Sequence, residues 1–284
     1  MTLNPSLLNF YDKGLGDMHS YVASNIFGIK FEDIIASKKK KQGLTKADIY
    51  NLDCRQKAKG ASFAINYGGS AHTVAYNLDI PMKTAQEVYD GYFDTFPGLQ
   101  EYFQKLSREC IERGYIVANE LTKRRRYFVG YKETMAMMKR VTTSLCFPDR
   151  LPILMDAIYS GAQFYTVQYM LGINKNTWDA LKKRIGAYKR LCMNTPIQGT
   201  AGDMTKFALV YFRRRLIAEG HPPVKASVVK TIGTVHDEIM AECDEYLAED
   251  VAVWLQEAME DAGRLFCKRV PIVAKPMISN HWTH

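Results

Sequence analysis

The chain has 284 residues, long enough for one large domain or two smaller ones with a real core. Its apolar fraction of 47% is ordinary for a globular protein, and no window approaches 18 consecutive apolar residues, so no membrane span is expected. A formal net charge of +8 fits a polyanionic partner without requiring one.

The six cysteines, Cys54, Cys110, Cys146, Cys192, Cys243 and Cys267, form no C-x-x-C pair. That speaks against a zinc site or a redox motif and for scattered buried thiols in a reducing compartment. The start, Met1-Thr-Leu-Asn-Pro, lacks a charged region followed by an apolar stretch and does not read as a secretory signal.

Residues 6–27 read as helix interrupted near Gly14 and Gly16, with Asp17-Met-His19-Ser opening an amphipathic run. Ser37 to Gly43, with four lysines, reads as a charged loop, either a solvated tract or a DNA contact. Thr45-Lys-Ala-Asp48 resembles a capping box, and the helix it opens should run through Tyr67 to Gly68-Gly69. Helices are predicted over 83–96 and 99–113, then two short strands around 114–117 and 126–129 joined by a basic turn. Residues 131–180 lack a clean period and contain Pro148 and Pro152; two or three short helices are expected. Helix resumes from about Trp178 to Met193 and again over 199–218, with Pro196 between them as a kink. Lys230 to Glu242 reads as a hairpin with His-Asp-Glu at its tip, followed by helix over 248–266 and a short strand over 270–274.

Three groups carry chemistry. The first is Arg55-Gln-Lys-Ala-Lys59-Gly-Ala-Ser-Phe63-Ala-Ile-Asn-Tyr67-Gly68. Steps of four drift only about 40° on a helix, so two cations, a flat apolar ring and a phenol share one face. A phosphate tail, a sugar and a base would meet those groups in that order. The bland alternative is an amphipathic helix with Phe63 in the core and solvated cations. The second is Val235-His236-Asp237-Glu238. Phosphoryl transfer to a sugar hydroxyl uses two metals bridged by carboxylates, and an acid at a hairpin tip can reach one of them. A surface turn acid is the other reading. The third is Arg190-Leu-Cys-Met-Asn194-Thr-Pro-Ile-Gln198-Gly-Thr-Ala-Gly-Asp203. Asn and Gln can donate to the minor-groove acceptors present on every base pair, and Arg can hold a backbone phosphate. A polar helix stripe would look similar.

Together these strings resemble the family A DNA polymerases, the bacterial polymerase I type. The resemblance implies a helix-rich α/β (α+β) fold: the fingers and C-terminal palm of a right-hand polymerase, with a β-hairpin carrying His-Asp-Glu. By position, residues 1–130 are expected to be fingers, 131–185 an insertion or divergent fingers region, and 186–284 the C-terminal palm. The resemblance implies DNA-directed addition of dNTPs to a primer end. It makes Asp237 a metal ligand and Glu238 an assisting acid, with His236 beside the primer terminus. Arg55, Lys59 and His19 would contact the triphosphate, with Lys59 also a proton donor to pyrophosphate. Phe63 would lie under the sugar and base, and Tyr67 near the templating base. Arg190, Asn194 and Gln198 would hold DNA. Related single-subunit RNA polymerases as a rule lack Phe at the third helix position and Glu after His-Asp, so Phe63 and Glu238 favour a DNA polymerase. Arg124-Arg125-Arg126 resembles a family hairpin that either contacts DNA or is simply solvated.

The family's first metal-binding Asp, in an Asp-Tyr-Ser-x-x-Glu setting, has no counterpart in the sequence. Asp156 is a poor replacement because it lacks the following Glu. The expectation is a split enzyme. Mg2+ would act at a two-metal site with one ligand supplied by another chain, and a second polypeptide would bring the thumb and first palm motif. Primer-template DNA and dNTPs would be its other partners, and the cytoplasm of a bacterium or phage-infected host its location. The alternative is a non-catalytic DNA-binding or regulatory remnant of such a polymerase.

Overall fold

The computed structural model describes residues 5–143, 150–222, 224 and 226–282. Cys146, Pro148 and the final His284 lie outside them. The chain divides into two compact units, one running through Val117 and resuming over Arg125–Thr195, the other formed by Ala118–Arg124 and everything from Pro196 onward.

The larger unit is almost wholly helical. Its first part holds α1 (Pro5–Asp12), α2 (Met18–Phe27), α3 (Phe31–Lys39), α4 (Lys46–Asn66), α5 (Ala71–Leu78), α6 (Met82–Thr95) and α7 (Leu99–Arg113). α4 starts as predicted: Thr45 Oγ1 accepts from the Asp48 N–H, and Asp48 Oδ2 accepts from the Thr45 N–H at 2.8 Å. Its inner face is lined with small side chains. Ala58, Ala61, Ala64 and Ile65 pack with Val22, Ala23, Ile34, Val88, Tyr92 and Phe96 from α2, α3, α6 and the end of α6. Alanines there let the helices approach closely.

The expected loop over 37–43 is half helix. α3 runs through Lys39, because Glu32 and Asp33 at its start and Lys38 and Lys39 at its end complement the helix dipole. Ser37 Oγ donates to Asp48 Oδ1 at 2.9 Å, and Lys40 Nζ donates to the same carboxylate at 2.8 Å. The lysine tract is thereby pinned to the start of α4.

The second part of this unit contains β1 (Tyr115–Val117) and β2 (Arg125–Tyr127), paired antiparallel with Ile116 opposite Arg126. It continues with α8 (Tyr131–Thr143), α9 (Leu151–Ser160), α10 (Phe164–Leu171) and the first half of α11 (Lys175–Ala218). Leu154, Ile158, Val167, Leu171, Trp178, Leu181 and Ile185 share one core with Cys110, Ile111, Ile116 and Phe128. The described residues of this stretch, 131–143 and 150–185, therefore pack onto α7 and the small sheet as part of the unit.

α11 corrects the expectation of two helices. It is continuous for 44 residues with Pro196 inside it. Proline removes one N–H and so leaves the Cys192 carbonyl without its helical donor, but flanking turns carry the helix through.

In the smaller unit, the second half of α11 packs against a hairpin and α12 (Ala248–Phe266). Phe212, Leu216, Val229, Val251, Trp254 and Ala258 form its main core, and Ala208, Ile239 and Ala262 a second cluster. The hairpin joins β3 (Val229–Val235) to β4 (Glu238–Cys243), antiparallel with Val235 opposite Glu238. A register shift between Thr231 and Gly233 marks a bulge at Ile232, which is 57% exposed. The strand expected over 270–274 does not form. Residues there are irregular, Ile272 packs against Gly263, and the Ala274 N–H donates to Glu260 Oε1 at 3.3 Å. Gly263 admits Ile272 because a Cβ at that position would lie 2.5 Å from the isoleucine.

Candidate functional site

The α4 face is built as the four-residue spacing requires. With Ala58, Ala61 and Ile65 directed inward, Phe63 and Tyr67 are left 46% and 40% exposed. An exposed phenylalanine on a helix whose opposite face is sealed is not a core residue, which removes the bland reading for this position. The Phe63 and Tyr67 rings run nearly parallel, 15° apart with centroids 6.3 Å apart. His19, on α2, lays its ring 5.5 Å from Phe63.

Two turns back, Arg55 is held by an acid. Arg55 Nε donates to Asp17 Oδ2 at 3.1 Å, and Lys38 Nζ donates to the same oxygen at 2.7 Å. Asp17 is the N-cap of α2, its Oδ1 accepting from the Ser20 N–H at 3.1 Å. Burial pushes the Asp17 carboxyl up, but the hydrogen bonds from Lys38, Arg55 and Ser20 outweigh it and hold the acid well below the ordinary carboxylate range. Sequence reasoning found His19 and Arg55 but not Asp17 and Lys38; the helix-capping Asp two residues before His19 was the available signal.

His19 stands among these charges. Burial first, then the positive charges of Arg55, Lys59 and Lys38, push its pKa below the ordinary 6.5, against an opposing pull from Asp17. Its Nδ1 is buried without a hydrogen-bond partner. The group as a whole offers cations, an imidazole disfavoured from taking a proton and a flat apolar face.

Two contacts fix the far end of α4. Tyr92 Oη donates to Asn66 Oδ1 at 2.9 Å, and burial pushes that phenol up to about 12. Gly68, at φ +81°, meets α11, where a Cβ would fall 2.9 Å from Arg190 Cγ and 3.1 Å from Arg190 Cα. Arg190 itself is exposed, and Asn194 Oδ1 is buried with no partner. Arg190 and Asn194 precede Pro196 in the larger unit, and Gln198, exposed, follows it in the smaller.

In the smaller unit, the segment 118–124 is tied to α11 through Asp203. This buried carboxylate accepts from Asn119 Nδ2 at 2.8 Å, Thr122 Oγ1 at 2.9 Å and Arg124 Nε at 3.0 Å. Arg124 Nη2 also donates to the Gly199 carbonyl at 2.9 Å. Burial raises the Asp203 pKa, yet these donors bring it below the ordinary value. Arg124 is therefore a structural partner. Arg125 lies over the Tyr115 ring at 4.8 Å, and Arg126 Nη1 donates to Thr195 Oγ1 at 3.4 Å.

The hairpin tip consists of His236 and Asp237, both exposed, with Glu238 opening β4. His236 has φ +53°, a left-handed conformation costly for a non-glycine residue and frequent at functional positions. Carboxylate oxygens suit a hard cation such as Mg2+, which is commonly held by one or two carboxylates together with substrate phosphates. Among the described residues, no group of three or more His, Cys, Asp or Glu is arranged to hold a metal. Asp156, weighed as a second acid, forms an ion pair with Arg108 at 2.8 Å. Among the described residues, no helix is long and apolar enough to cross a membrane.

The sequence resembles DNA polymerase I of Aquifex aeolicus, with 26% identity over 99% of this chain and 36% of that protein. It matches DNA polymerase I of Geobacillus stearothermophilus at 27% identity over 94% of this chain and 22% of the relative. The chain thus spans about a third or less of the length of these relatives. The fold matches the POL domain of Pol1 from M. smegmatis, solved with DNA primer-template and dNTP, at a TM-score of 0.60 and 22% identity, covering 94% of this chain and 34% of that one. The profile of DNA polymerase family A matches residues 1–284, the whole sequence, and the chain belongs to that family.

Proposed function

We propose that this chain carries the nucleotide-binding and hairpin-acid parts of a template-directed DNA polymerase, which adds dNTPs to a primer 3′ end by two-metal phosphoryl transfer. The observation that carries the reading is the α4 row. Arg55 and Lys59 lie ahead of an exposed Phe63, and His19 lies against that ring. This row suits a triphosphate, a sugar and a base in order. The polymerase solved with primer-template and dNTP shares the fold and gives the same ligand classes.

In this reading Arg55, Lys59 and His19 bind the triphosphate. Lys59 also delivers a proton to the departing pyrophosphate, so that charge does not build up on the leaving oxygen. Phe63 excludes water beneath the sugar, and Tyr67 covers the templating position. Arg190, Asn194 and Gln198 hold primer-template by backbone and minor-groove contacts that do not read sequence. His236 adjoins the primer terminus. Asp237 is the metal ligand and Glu238 the assisting acid at the tip. Bound Mg2+ would sharpen the attacking oxygen and balance charge on the phosphates.

Two bridging ions need more than one carboxylate in the ligand shell. A second acid, with the thumb and the first palm strand, is therefore assigned to polypeptide outside these 284 residues, in the split form a second chain. The exposed Ile232 on β3 is consistent with a sheet that takes a further partner. The proposed domain roles are fingers for residues 1–130, an insertion or divergent fingers region for 131–185, and C-terminal palm for 186–284.

The test is primer extension with Mg2+, by this chain alone and then mixed with a polypeptide carrying thumb and first palm motif. Extension by the mixture and not by the chain alone supports the split enzyme. Extension by the chain alone refutes the need for an outside acid. No extension in either case favours a non-catalytic DNA-binding remnant.

A further inference from the structure

We infer that Lys38 is a polyphosphate-contacting residue of the nucleotide site, and that Asp17 is the internal counter-ion that holds Lys38 and Arg55 ready until an incoming triphosphate takes them over. The inference rests on reading α4 as the nucleotide helix.

One oxygen carries the arrangement. Asp17 Oδ2 accepts from Lys38 Nζ at 2.7 Å and from Arg55 Nε at 3.1 Å, so the two nitrogens are at most about 6 Å apart. That separation is within the reach of a single triphosphate. Three elements meet there: Asp17 caps α2, Lys38 lies in the last turn of α3, and Arg55 is in the middle of α4. Lys38 and Arg55 meet at Asp17, and Lys59 follows Arg55 by one turn of α4, so three cations and one acid lie together. One carboxylate cannot balance three cations. The remaining positive charge calls for an anion, and Asp17 stands where one of its oxygens would.

The carboxylate is fixed by its cap on the Ser20 N–H, whereas Lys38 is 49% exposed on a long, flexible stem. The exchange therefore moves the cation and leaves the acid in place. Lys38 does not come from a loose tail. One residue back, Ser37 is bonded to Asp48, and two residues on, Lys40 is paired with the same acid. The lysine tract thus places one ammonium group at the phosphate end of α4 and uses another to anchor α3.

Inorganic triphosphate is the probe, titrated calorimetrically into the full chain at low ionic strength. Lys59→Ala serves as the reference variant. Lys38→Ala should weaken binding roughly threefold to tenfold. Asp17→Asn keeps a good N-cap and removes the competing charge, so it should bind the anion more tightly than wild type. If Lys59→Ala weakens binding and Lys38→Ala stays within about twofold of wild type, the role of Lys38 is overturned while α4 stands. If Lys59→Ala has no effect either, the assignment of α4 fails and Lys38 with it.

Discussion

Gly68 follows the end of α4 and lies against Arg190 of α11, so that two separate sequence strings meet at one close contact. The position needs glycine twice over. Its φ of +81° disfavours any side chain, and an added Cβ would press on both Cα and Cγ of Arg190. Gly68→Ala should destabilise the fold by about 1–3 kcal/mol, read as a lower urea midpoint with an unchanged slope. A midpoint equal to wild type would contradict the contact.

Asp203 gathers Asn119, Thr122 and Arg124 onto α11. Asp203→Asn preserves shape but loses the charge. Arg124 is 46% exposed, which discounts the pair, so a loss of about 1–2 kcal/mol is expected in urea unfolding. The pH dependence has a definite sign. The folded-state pKa of Asp203 is depressed, so its stabilisation is complete above the unfolded carboxylate value and disappears as pH falls through the folded value. The Asn variant should therefore lose less stability on acidification than wild type.

His19 supplies a linkage prediction. Its pKa is below 6.5 because of burial and the cations Arg55, Lys59 and Lys38, opposed by Asp17. Between that lowered value and 6.5 the unfolded chain binds more protons, so stability rises with pH across this window. A triphosphate that neutralises the cations should raise the His19 pKa and draw in protons at a pH just below 6.5. Calorimetry in buffers of different ionisation enthalpy should show this uptake for wild type and not for His19→Gln. Equal uptake in both would contradict it.

Phe63 is exposed and stacked beside Tyr67, the placement expected if it lines the sugar pocket. In the family, Phe at this position goes with rejection of nucleotides lacking a 3′ hydroxyl and Tyr with their acceptance. Phe63→Tyr in the active assembly should raise dideoxynucleotide incorporation in a primer-extension gel. Unchanged chain-terminator sensitivity would count against the placement.

Structure was legible in the sequence wherever it was local. The capping box at Thr45 and Asp48 and the limits of α12 depend on near neighbours, and the chain shows both where they were expected. The spacing of Arg55, Lys59, Phe63 and Tyr67 defined one helix face, although periodicity alone could not exclude Phe63 from the core. What escaped was set by tertiary partners. Residues 37–43 read as a lysine-rich loop until Asp17 and Asp48 take up Lys38 and Lys40 and α3 runs through Lys39. Pro196 reads as a kink between two helices until neighbouring turns carry one helix past it. Residues 270–274 have strand propensity, but there Ile272 packs on Gly263 of α12 and the segment stays irregular. The side of the site that Asp17 provides depends on a residue 38 positions from Arg55, beyond any local pattern.

The central claim, that the hairpin acid takes part directly in nucleotide addition, is tested most directly by the rate of the first dNTP addition in the reconstituted assembly, wild type against Asp237→Asn. The account predicts a fall of roughly a thousandfold or more, with primer-template affinity retained. An Asn variant within about tenfold of wild type would contradict it.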